Sequence, residues 1–365
     1  MEQTKRNPFT TNFKYKEQSF ISDNDFFLEN IEDGLLWNDD NWRDVIISSL
    51  RGSGKTTMLH RIQNYLKSNH GEKVVTIYVN STSGFIVDVF LKAIESLPEK
   101  NKRKFRAKLN LFNAIDLSVN NKFKNPDFSY RTDMELVLKE FDNLGWQLVI
   151  LIDEVKNIND DLKTFYGAEI AFVNEDLPVM SIAAGLPSAV SNLINDKALS
   201  FLRRAQKIEL RPLNVQSIYE EYRKIFDGQI ISDDQLKVLS EFTRGYPYLY
   251  QLIGYFIWST LTKGGLSSTL IEDAQRYALN ELFENVYSKF LTDVSPKTRD
   301  MLIAINNLGG TRVKVQDIRK QLNWSSSYAS NYRNRLIEWK LVKQDGYGEL
   351  TIVPPYLDLY LKQIQ

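Results

Sequence analysis

A short stretch of small residues around one lysine carries the most specific chemistry in this sequence. Gly52 and Gly54 can adopt backbone angles closed to other residues, so the N–H groups of such a loop can converge on one anion. In a loop of this kind the lysine reaches the β- and γ-phosphates of a nucleotide, and the hydroxyl that follows it holds Mg²⁺. We therefore predict a phosphate-binding (Walker A) loop with Thr56 as a metal ligand. Its predicted nucleotide contacts are Arg51, Gly52, Ser53, Gly54, Lys55, Thr56 and Thr57.

The residues on either side of the loop have the patterns that a Walker A loop requires. Residues 44–47 form a short, mostly apolar run typical of a buried strand. After the loop, apolar residues recur at helical spacing from Met58 to Leu66. One position departs from the usual motif, because Ser49 stands where a glycine is expected. The alternative is an ordinary strand–turn–helix junction with Lys55 as a solvated lysine. The intact glycine–lysine–threonine core favours the phosphate loop.

A second chemical motif follows an apolar strand later in the chain. Residues 148–152 are all apolar and run directly into Asp153 and Glu154. A carboxylate at the end of such a strand (the Walker B motif) holds Mg²⁺, so Asp153 joins Thr56 as a predicted metal ligand. Glu154 is predicted to orient and deprotonate the attacking water as general base, with Lys55 as the second catalytic residue. Together the two motifs predict ATP or ADP and Mg²⁺ as cofactors.

Composition is that of an ordinary globular protein and excludes several kinds of site. The 365 residues are 43% hydrophobic and 25% charged, and a formal net charge of zero gives no global sign of a nucleic-acid protein. The absence of cysteine excludes disulfides, thiolate nucleophiles and cysteine-based zinc sites, and two histidines make a histidine-rich metal site implausible. No run has the length of a membrane span and no secretory signal is recognisable, so we expect a cytoplasmic protein without a membrane partner.

The order of strand and helix patterns predicts an α/β fold followed by helical segments. Up to about residue 213, mostly apolar strands alternate with helices, which indicates a parallel sheet buried on both faces. Four helical segments come next, and then three helices and a hairpin, the pattern of a winged helix-turn-helix. We predict an N-terminal arm (1–20), a P-loop ATPase core (21–213), an all-helical lid (214–292) and a C-terminal winged helix (293–365).

Two local patterns inside the core have their own interpretations. A capping-box pattern at Thr132 to Glu135 predicts the start of a helix that runs to about Asn143. The basic run at residues 100–108 is either a solvated helix face, which charge runs usually are, or a nucleic-acid contact.

Several short motifs, taken in order, resemble those of one class of ATPases. They lie at residues 7–10, 50–56, 151–154, 184–187, 201–205 with 210–213, and 245–248. On these motifs the chain resembles the AAA+ ATPases of the origin-recognition and STAND-like group, which occur in archaea and bacteria. The resemblance spans nearly the whole chain and implies an AAA+-type P-loop core, a helical lid and a C-terminal winged helix.

The resemblance also implies roles for residues outside the two Walker motifs. In such ATPases the residues before the first helix line the adenine pocket, which implicates Pro8 and Phe9; a hydrophobic anchor of the arm is the alternative. An arginine after the fourth strand commonly acts as a finger on the γ-phosphate of a neighbouring subunit, and Arg203 or Arg204 has this position. The alternative is a surface arginine pair that binds helix-end carbonyls. Pro247, in a Gly-Tyr-Pro sequence like the GxP motif of STAND ATPases, is the predicted lid-side nucleotide contact.

Two positions lack residues that ATPases of that class use for hydrolysis. The fourth strand ends at Ala184, where a polar sensor is usual, and the lid has Tyr248 where initiators place an arginine. We therefore expect slow hydrolysis or a tightly nucleotide-bound switch.

The predicted second helix of the helix-turn-helix carries small and amide side chains beside arginines. Such side chains suit a major groove, and Lys343 in the hairpin could reach the phosphate backbone. The predicted DNA contacts are Ser326, Asn331, Arg333, Arg335 and Lys343. Residues 293–365 hold 11 basic and 7 acidic residues, a modest excess for a DNA-binding module. The alternative is a winged helix used for protein contact or autoinhibition.

These features favour an AAA+-type switch that binds double-stranded DNA, in the manner of an initiator or loader, and that self-associates through its ATP site. A STAND-like signalling or defence ATPase, held closed by its winged helix and opened by an unknown protein partner, is the main alternative. A transcription regulator with vestigial ATP binding is the third.

Overall fold

The computed structural model describes residues 6–11, 24–36, 40–108, 128–265 and 267–365. These residues form two compact units. The sheet unit comprises Asp25–Ser48 and Lys55–Glu209. The second unit comprises the described residues up to Asn24, the loop Ser49–Gly54, and Leu210–Gln365. We call it the lid unit because it contains the predicted lid, and it also contains the predicted winged helix. The boundary between the two units passes through the predicted Walker A motif, between Gly54 and Lys55.

The sheet unit is built on five parallel strands in the order β2-β3-β4-β1-β5. The strands are β1 (Asp44–Ser48), β2 (Val74–Asn80), β3 (Gln147–Val155), β4 (Val179–Gly185) and β5 (Gln206–Ile208). Every residue of β4 is buried, and β3 is buried from Leu148 to Asp153 and at Val155. Continuous apolar strands of this kind need helices on both faces, which explains why the sequence shows runs and not alternation. The predicted parallel-sheet core is confirmed.

Seven α-helices belong to this unit within the part of the chain that the structure describes. They are α1 (Phe26–Leu36), α2 (Lys55–His70), α3 (Phe85–Ser96), α4 (Glu99–Lys108), α5 (Tyr130–Asn143), α6 (Asp160–Asn174) and α7 (Pro187–Asn195). The basic run forms α4, where Lys102, Arg103 and Lys104 pair with acidic side chains, as expected for a solvated helix face. The end of the charged region, residues 109–127, lies outside the described residues.

The predicted start of α5 at Thr132 is wrong by two residues. Helix α5 begins at Tyr130, because the extended Ser129 accepts a bond from the backbone N–H of Thr132. Thr132 is therefore the third residue of the helix, and Ser129 caps it.

The lid unit continues with helices and ends in a small antiparallel sheet. Its helices are α8 (Val215–Ile225), α9 (Asp233–Phe242), α10 (Pro247–Leu261), α11 (Leu270–Leu282), α12 (Lys289–Asp293), α13 (Pro296–Asn307), α14 (Val315–Leu322), α15 (Ser326–Glu338) and α16 (Leu357–Gln363). The strands are β6 (Val313–Lys314), β7 (Val342–Gln344) and β8 (Glu349–Ile352), in the order β6-β8-β7. A π-helical turn, Phe283–Ser288, joins α11 to α12. The predicted helical region is confirmed.

Residues 296–352 have the element order helix, strand, helix, helix, hairpin, which a winged helix requires. The three helices and the hairpin lie where the sequence predicts them. Strand β6 is too short to leave a sequence pattern, and it pairs with β8 through Val313 and Lys314. Helix α16 follows the hairpin. Among the described residues, no helix combines the length and hydropathy needed to cross a membrane.

Candidate functional site

Thr56 and Asp153, the two predicted metal ligands, are in direct contact in the sheet unit. The Thr56 hydroxyl donates to Oδ2 of Asp153 across 2.7 Å. Thr56 is the second residue of α2, and Asp153 lies near the carboxyl end of β3, at 2% exposure. The chain places them 97 positions apart, so this bond joins the Walker A and Walker B motifs physically.

The donor set fits a magnesium ion. A hydroxyl and a carboxylate are the hard oxygen ligands that Mg²⁺ prefers. The proton of the Thr56 hydroxyl is already engaged by Asp153, which leaves the lone pairs of that oxygen available to a metal. Thr56 and Asp153 are thus the residues that would hold Mg²⁺.

Glu154 occupies a strained position directly after Asp153. Its φ is 55°, uncommon for a residue with a side chain, and the pairing of β3 with β4 shifts register between Ile152 and Val155. This irregularity turns the side chain of Glu154 outward, where it is 58% exposed and binds Lys156 Nζ at 3.1 Å. Strain of this kind clusters at functional sites. As a general base, Glu154 would first have to leave Lys156.

The loop Ser49–Gly54 has the backbone conformation that its glycines predict. The φ angles of Gly52 and Gly54 are +80° and +91°. Residues of the lid contact the loop directly. The hydroxyl of Tyr246 donates to the carbonyl of Arg51, and the N–H of Tyr248 donates to the carbonyl of Gly52 across 3.2 Å. A Cβ at residue 52 would lie 2.9 Å from the Tyr248 Cβ, so only glycine fits there.

These contacts orient the peptide groups of the loop. A trans peptide points its carbonyl and its N–H in opposite directions. Because the carbonyls of Arg51 and Gly52 face lid residues, the N–H groups of the same peptides face away from them. Pro247, the predicted lid-side contact, lies between Tyr246 and Tyr248 in the sequence. A Cβ built on Gly54 would lie 3.9 Å from the Cγ of Pro247.

Phe9 lies inside the lid. Its ring is 4% exposed and contacts the rings of Tyr222, Phe226 and Tyr250, with centroids 5.5 to 5.8 Å apart. Asn7 fastens the same segment by donating to Ser259 Oγ at 3.0 Å. This is the placement that the anchor alternative requires, because lid rings already surround Phe9. Pro8, between these two residues, is partly exposed.

The two arginines after β4 follow α7 in a 3-10 turn, and both are exposed. Arg203 Nε donates to the carbonyl of Ile194 in the last turn of α7, at 3.3 Å, as the helix-end alternative expects. Arg204 lines a cavity of about 300 Å³ together with Arg43 and Asp44. Asp44 begins β1, so this cavity lies at the amino edge of the parallel sheet, opposite the edge where Asp153 stands. Arg204 therefore does not face the metal ligands of its own sheet.

The predicted DNA contacts lie on α15 and β7. Ser326, Asn331 and Arg335 are exposed, Arg333 is partly exposed with its guanidinium on the Asn334 side-chain oxygen, and Lys343 is exposed. Arg335 also lies over the ring of Tyr332 at 5.5 Å. Tyr328 on the same helix is 38% exposed, because Ala329 and Leu336 are the residues that α15 buries.

Sequence reasoning missed two tyrosines that contact the site residues. Tyr78 on β2 donates to Asp153, and Tyr246 donates to the Arg51 carbonyl. The position of Tyr78 at the end of an apolar strand was a usable signal, because carboxyl ends of neighbouring parallel strands share one edge. Nothing local marks the hydroxyl of Tyr246.

Comparison with known proteins gives a fold and one family match. A family model described as "Domain of unknown function (DUF8462)" matches residues 284–361. None of the curated proteins compared with the chain matches its sequence. The Walker-type ATPase PABY2304 of Pyrococcus abyssi superposes with a TM-score of 0.64 at 16% identity, over 96% of this chain and 99% of its own. The ORC2 protein of Aeropyrum pernix in its ADP form has a TM-score of 0.53 at 13% identity, over 97% and 96%.

Identities this low establish the fold and nothing finer. The likeness nevertheless extends over almost the entire length of each chain, as the motif resemblance implies. This chain has the fold of the AAA+ P-loop ATPases, with archaeal Walker-type and origin-recognition proteins among its structural neighbours.

Proposed function

We propose that this protein is an ATP-binding and slowly ATP-hydrolysing switch of the AAA+ type that binds double-stranded DNA through its C-terminal module. The observation that carries the ATPase part is the 2.7 Å bond between Thr56 and Asp153, which unites the two nucleotide motifs. In this proposal residues 21–213 act as the ATPase core, 214–292 as the lid and 293–365 as the DNA-binding module.

Each step of the reaction is assigned to a residue of this chain. Residues Arg51–Thr57 bind the phosphates, with Lys55 on the β- and γ-phosphates. Thr56 and Asp153 would hold Mg²⁺, which would neutralise charge on those phosphates. Glu154 takes the proton of the attacking water. Turnover is slow because Glu154 must first give up Lys156 and because the buried end of β4 offers Ala184 in place of a polar sensor.

An arginine from a second copy completes the site in this proposal. The position of Arg204 at the amino edge of the sheet supports action on a neighbouring subunit, because its own metal ligands lie at the opposite edge. Its guanidinium would neutralise charge on the transferred phosphoryl group. Self-association would then depend on ATP.

Nucleotide binding and hydrolysis are tested with two variants. Lys55→Ala is expected to abolish binding of a fluorescent ATP analogue, and Glu154→Gln to bind ATP normally but fail to release phosphate. Size-exclusion chromatography of Glu154→Gln with ATP should show an ATP-dependent larger species, and Arg204→Ala should prevent it. ATP binding that is unchanged in Lys55→Ala would refute the assignment of the site.

DNA binding rests on the exposed polar face of α15 and the adjoining β7. Helix α15 is the second helix of a helix–turn–helix pair, and its exposed side chains are hydroxyls, amides and Arg335, with Glu338 exposed at its last position. We expect the affinity for duplex DNA to fall as the salt concentration rises. The double variant Arg333→Ala with Arg335→Ala should bind more weakly, and the slope of log affinity against log salt should fall by about two.

A matched control carries the same loss of charge on other helices of the module. Lys297→Ala with Lys362→Ala removes two positive charges from α13 and α16. If the control pair weakens DNA binding as much as the α15 pair, nonspecific charge attraction explains the binding. If neither pair changes it, α15 is not the contact.

The lid contacts support a second candidate, a STAND-like switch that a protein partner opens. Tyr246 and Tyr248 bond the carbonyls of the phosphate loop, so opening the lid would disturb the loop and release nucleotide. The nucleotide recovered from the purified protein separates the two candidates. Tightly retained ADP supports the partner-opened switch, and rapid exchange argues for the DNA-binding one.

A further inference from the structure

Tyr78 contacts the same carboxylate oxygen that Thr56 contacts. Its hydroxyl donates to Oδ2 of Asp153 across 2.6 Å, beside the Thr56 bond of 2.7 Å to that oxygen. The other oxygen, Oδ1, accepts the N–H of Glu154 at 2.7 Å. Three donors thus hold a carboxylate that is 2% exposed, and two of them converge on one oxygen.

The fold brings Tyr78 to this position through strand register. Strands β2 and β3 are parallel neighbours, with Asn80 opposite Asp153. Side chains of residues two apart on a strand point to the same face of the sheet. Tyr78 is two residues before Asn80 on the edge strand β2, so it lies on the same face as Asp153. Its ring reaches diagonally to the neighbouring strand, a distance that long side chains span.

Helix α2 packs on that face and contacts both Asp153 and Tyr78. Thr56 and His60 are four residues apart on α2 and therefore lie on one side of it. Thr56 bonds Asp153, while the His60 ring stacks on the Tyr78 ring, with centroids 4.5 Å apart and planes 18° apart. The stack restricts the ring of Tyr78, so its hydroxyl meets Asp153 at a fixed point.

An ordinary tyrosine titrates at about 10, so the phenol of Tyr78 is protonated at physiological pH and donates to Asp153. A donor of this kind next to a metal-binding carboxylate restricts its rotation and determines which oxygen stays accessible.

We propose that Tyr78 is a positioning residue for magnesium: it holds Asp153 in the rotamer that receives the nucleotide-bound ion. This inference rests on the proposed nucleotide site and adds a residue that neither Walker motif contains. Tyr78 touches neither nucleotide nor metal in this role; it acts through Asp153.

The test is a magnesium titration of nucleotide binding. The full chain and its variants are titrated with MgCl₂ in the presence of a fluorescent ADP analogue, and binding is also measured in EDTA. For Tyr78→Phe, which keeps the ring and its stack on His60, we expect the magnesium concentration at half-saturation to rise about 10- to 100-fold, the usual effect of removing an outer-shell partner. Binding in EDTA should be unchanged.

Tyr65→Phe is the matched control in the same unit. The Tyr65 hydroxyl also donates to a carboxylate, Glu32 Oε2 at 2.5 Å, but this pair contains neither Walker residue. The control should titrate like the native chain. Thermal unfolding in EDTA should remain one cooperative transition for Tyr78→Phe, lowered by no more than the loss of one hydrogen bond, which excludes loss of structure.

The outcomes separate this inference from the function on which it rests. If the native chain shows no magnesium-dependent nucleotide binding, the proposed function fails. If the native chain does, and Tyr78→Phe titrates identically, the positioning role alone is refuted. A Tyr78→Phe variant that loses affinity equally in EDTA and in magnesium would also refute it, because the effect would then be structural.

Discussion

Removal of one hydroxyl from the lid should weaken nucleotide binding measurably. The hydroxyl of Tyr246 donates to the Arg51 carbonyl and so orients the first peptide of the phosphate loop. In Tyr246→Phe that peptide can rotate, and its N–H no longer has a preset direction. The loop must then be ordered again each time nucleotide binds.

The size of the effect follows from the bond that is lost. A neutral hydrogen bond contributes about 0.5–1.5 kcal/mol net, and this is the most that re-forming the loop can cost. Converted to affinity, it corresponds to an increase in Kd of about 2- to 13-fold for ADP or ATP. Isothermal titration calorimetry with ADP resolves a difference of this size.

Tyr248→Phe provides a matched control two residues away. Tyr246 and Tyr248 are 6% and 5% exposed, but Tyr248 bonds the loop through its backbone N–H, which the substitution leaves in place. Burial raises the pKa of Tyr248 to about 12 and raises that of Tyr246 as well, so both phenols stay protonated at assay pH. Equal losses of affinity in the two variants, or no loss in Tyr246→Phe, would refute the reasoning.

Two predictions concern stability. Burial, and then the charge of Asp44, raise the pKa of Glu169 well above 4.5. Above pH 4.5 the unfolded chain therefore releases a proton that the folded chain keeps, and stability falls with rising pH by up to about 1.4 kcal/mol per pH unit until the folded pKa is reached. Glu169→Gln should remove this slope in urea unfolding measured from pH 5 to 8; parallel curves for the variant and the native chain would contradict it. Phe9→Ala leaves a cavity among the rings of the lid and should lower the free energy of unfolding by about 3–5 kcal/mol in the same assay. Tyr347→Ala, at a fully exposed residue of the hairpin, should change stability by less than about 0.5 kcal/mol, and a similar cost for both variants would mean that Phe9 is not an anchor.

Local sequence patterns are enough to predict the nucleotide motifs and the order of the parts. Gly52, Gly54 and Lys55 can be interpreted locally, because backbone freedom and a following helix are properties of adjacent residues. The apolar run before Asp153 likewise predicts a buried strand of a parallel sheet, and the strands and lid helices follow from periodicity. Caps are harder: both Ser129 and Thr132 can cap a helix, and only the backbone geometry decides between them.

Which hydroxyls meet at the site depends on the tertiary fold. Tyr78 is 75 positions from Asp153, and Tyr246 is 195 positions from Arg51. No local pattern encodes such pairs, because strand register and the path of the chain bring them together. The same holds for Phe9, whose aromatic neighbours lie more than 200 positions further along the chain, and for Tyr328, whose exposure depends on what packs against α15. Motifs thus predicted candidate phosphate and metal ligands, whereas the side chains that contact those residues became visible only in the folded chain.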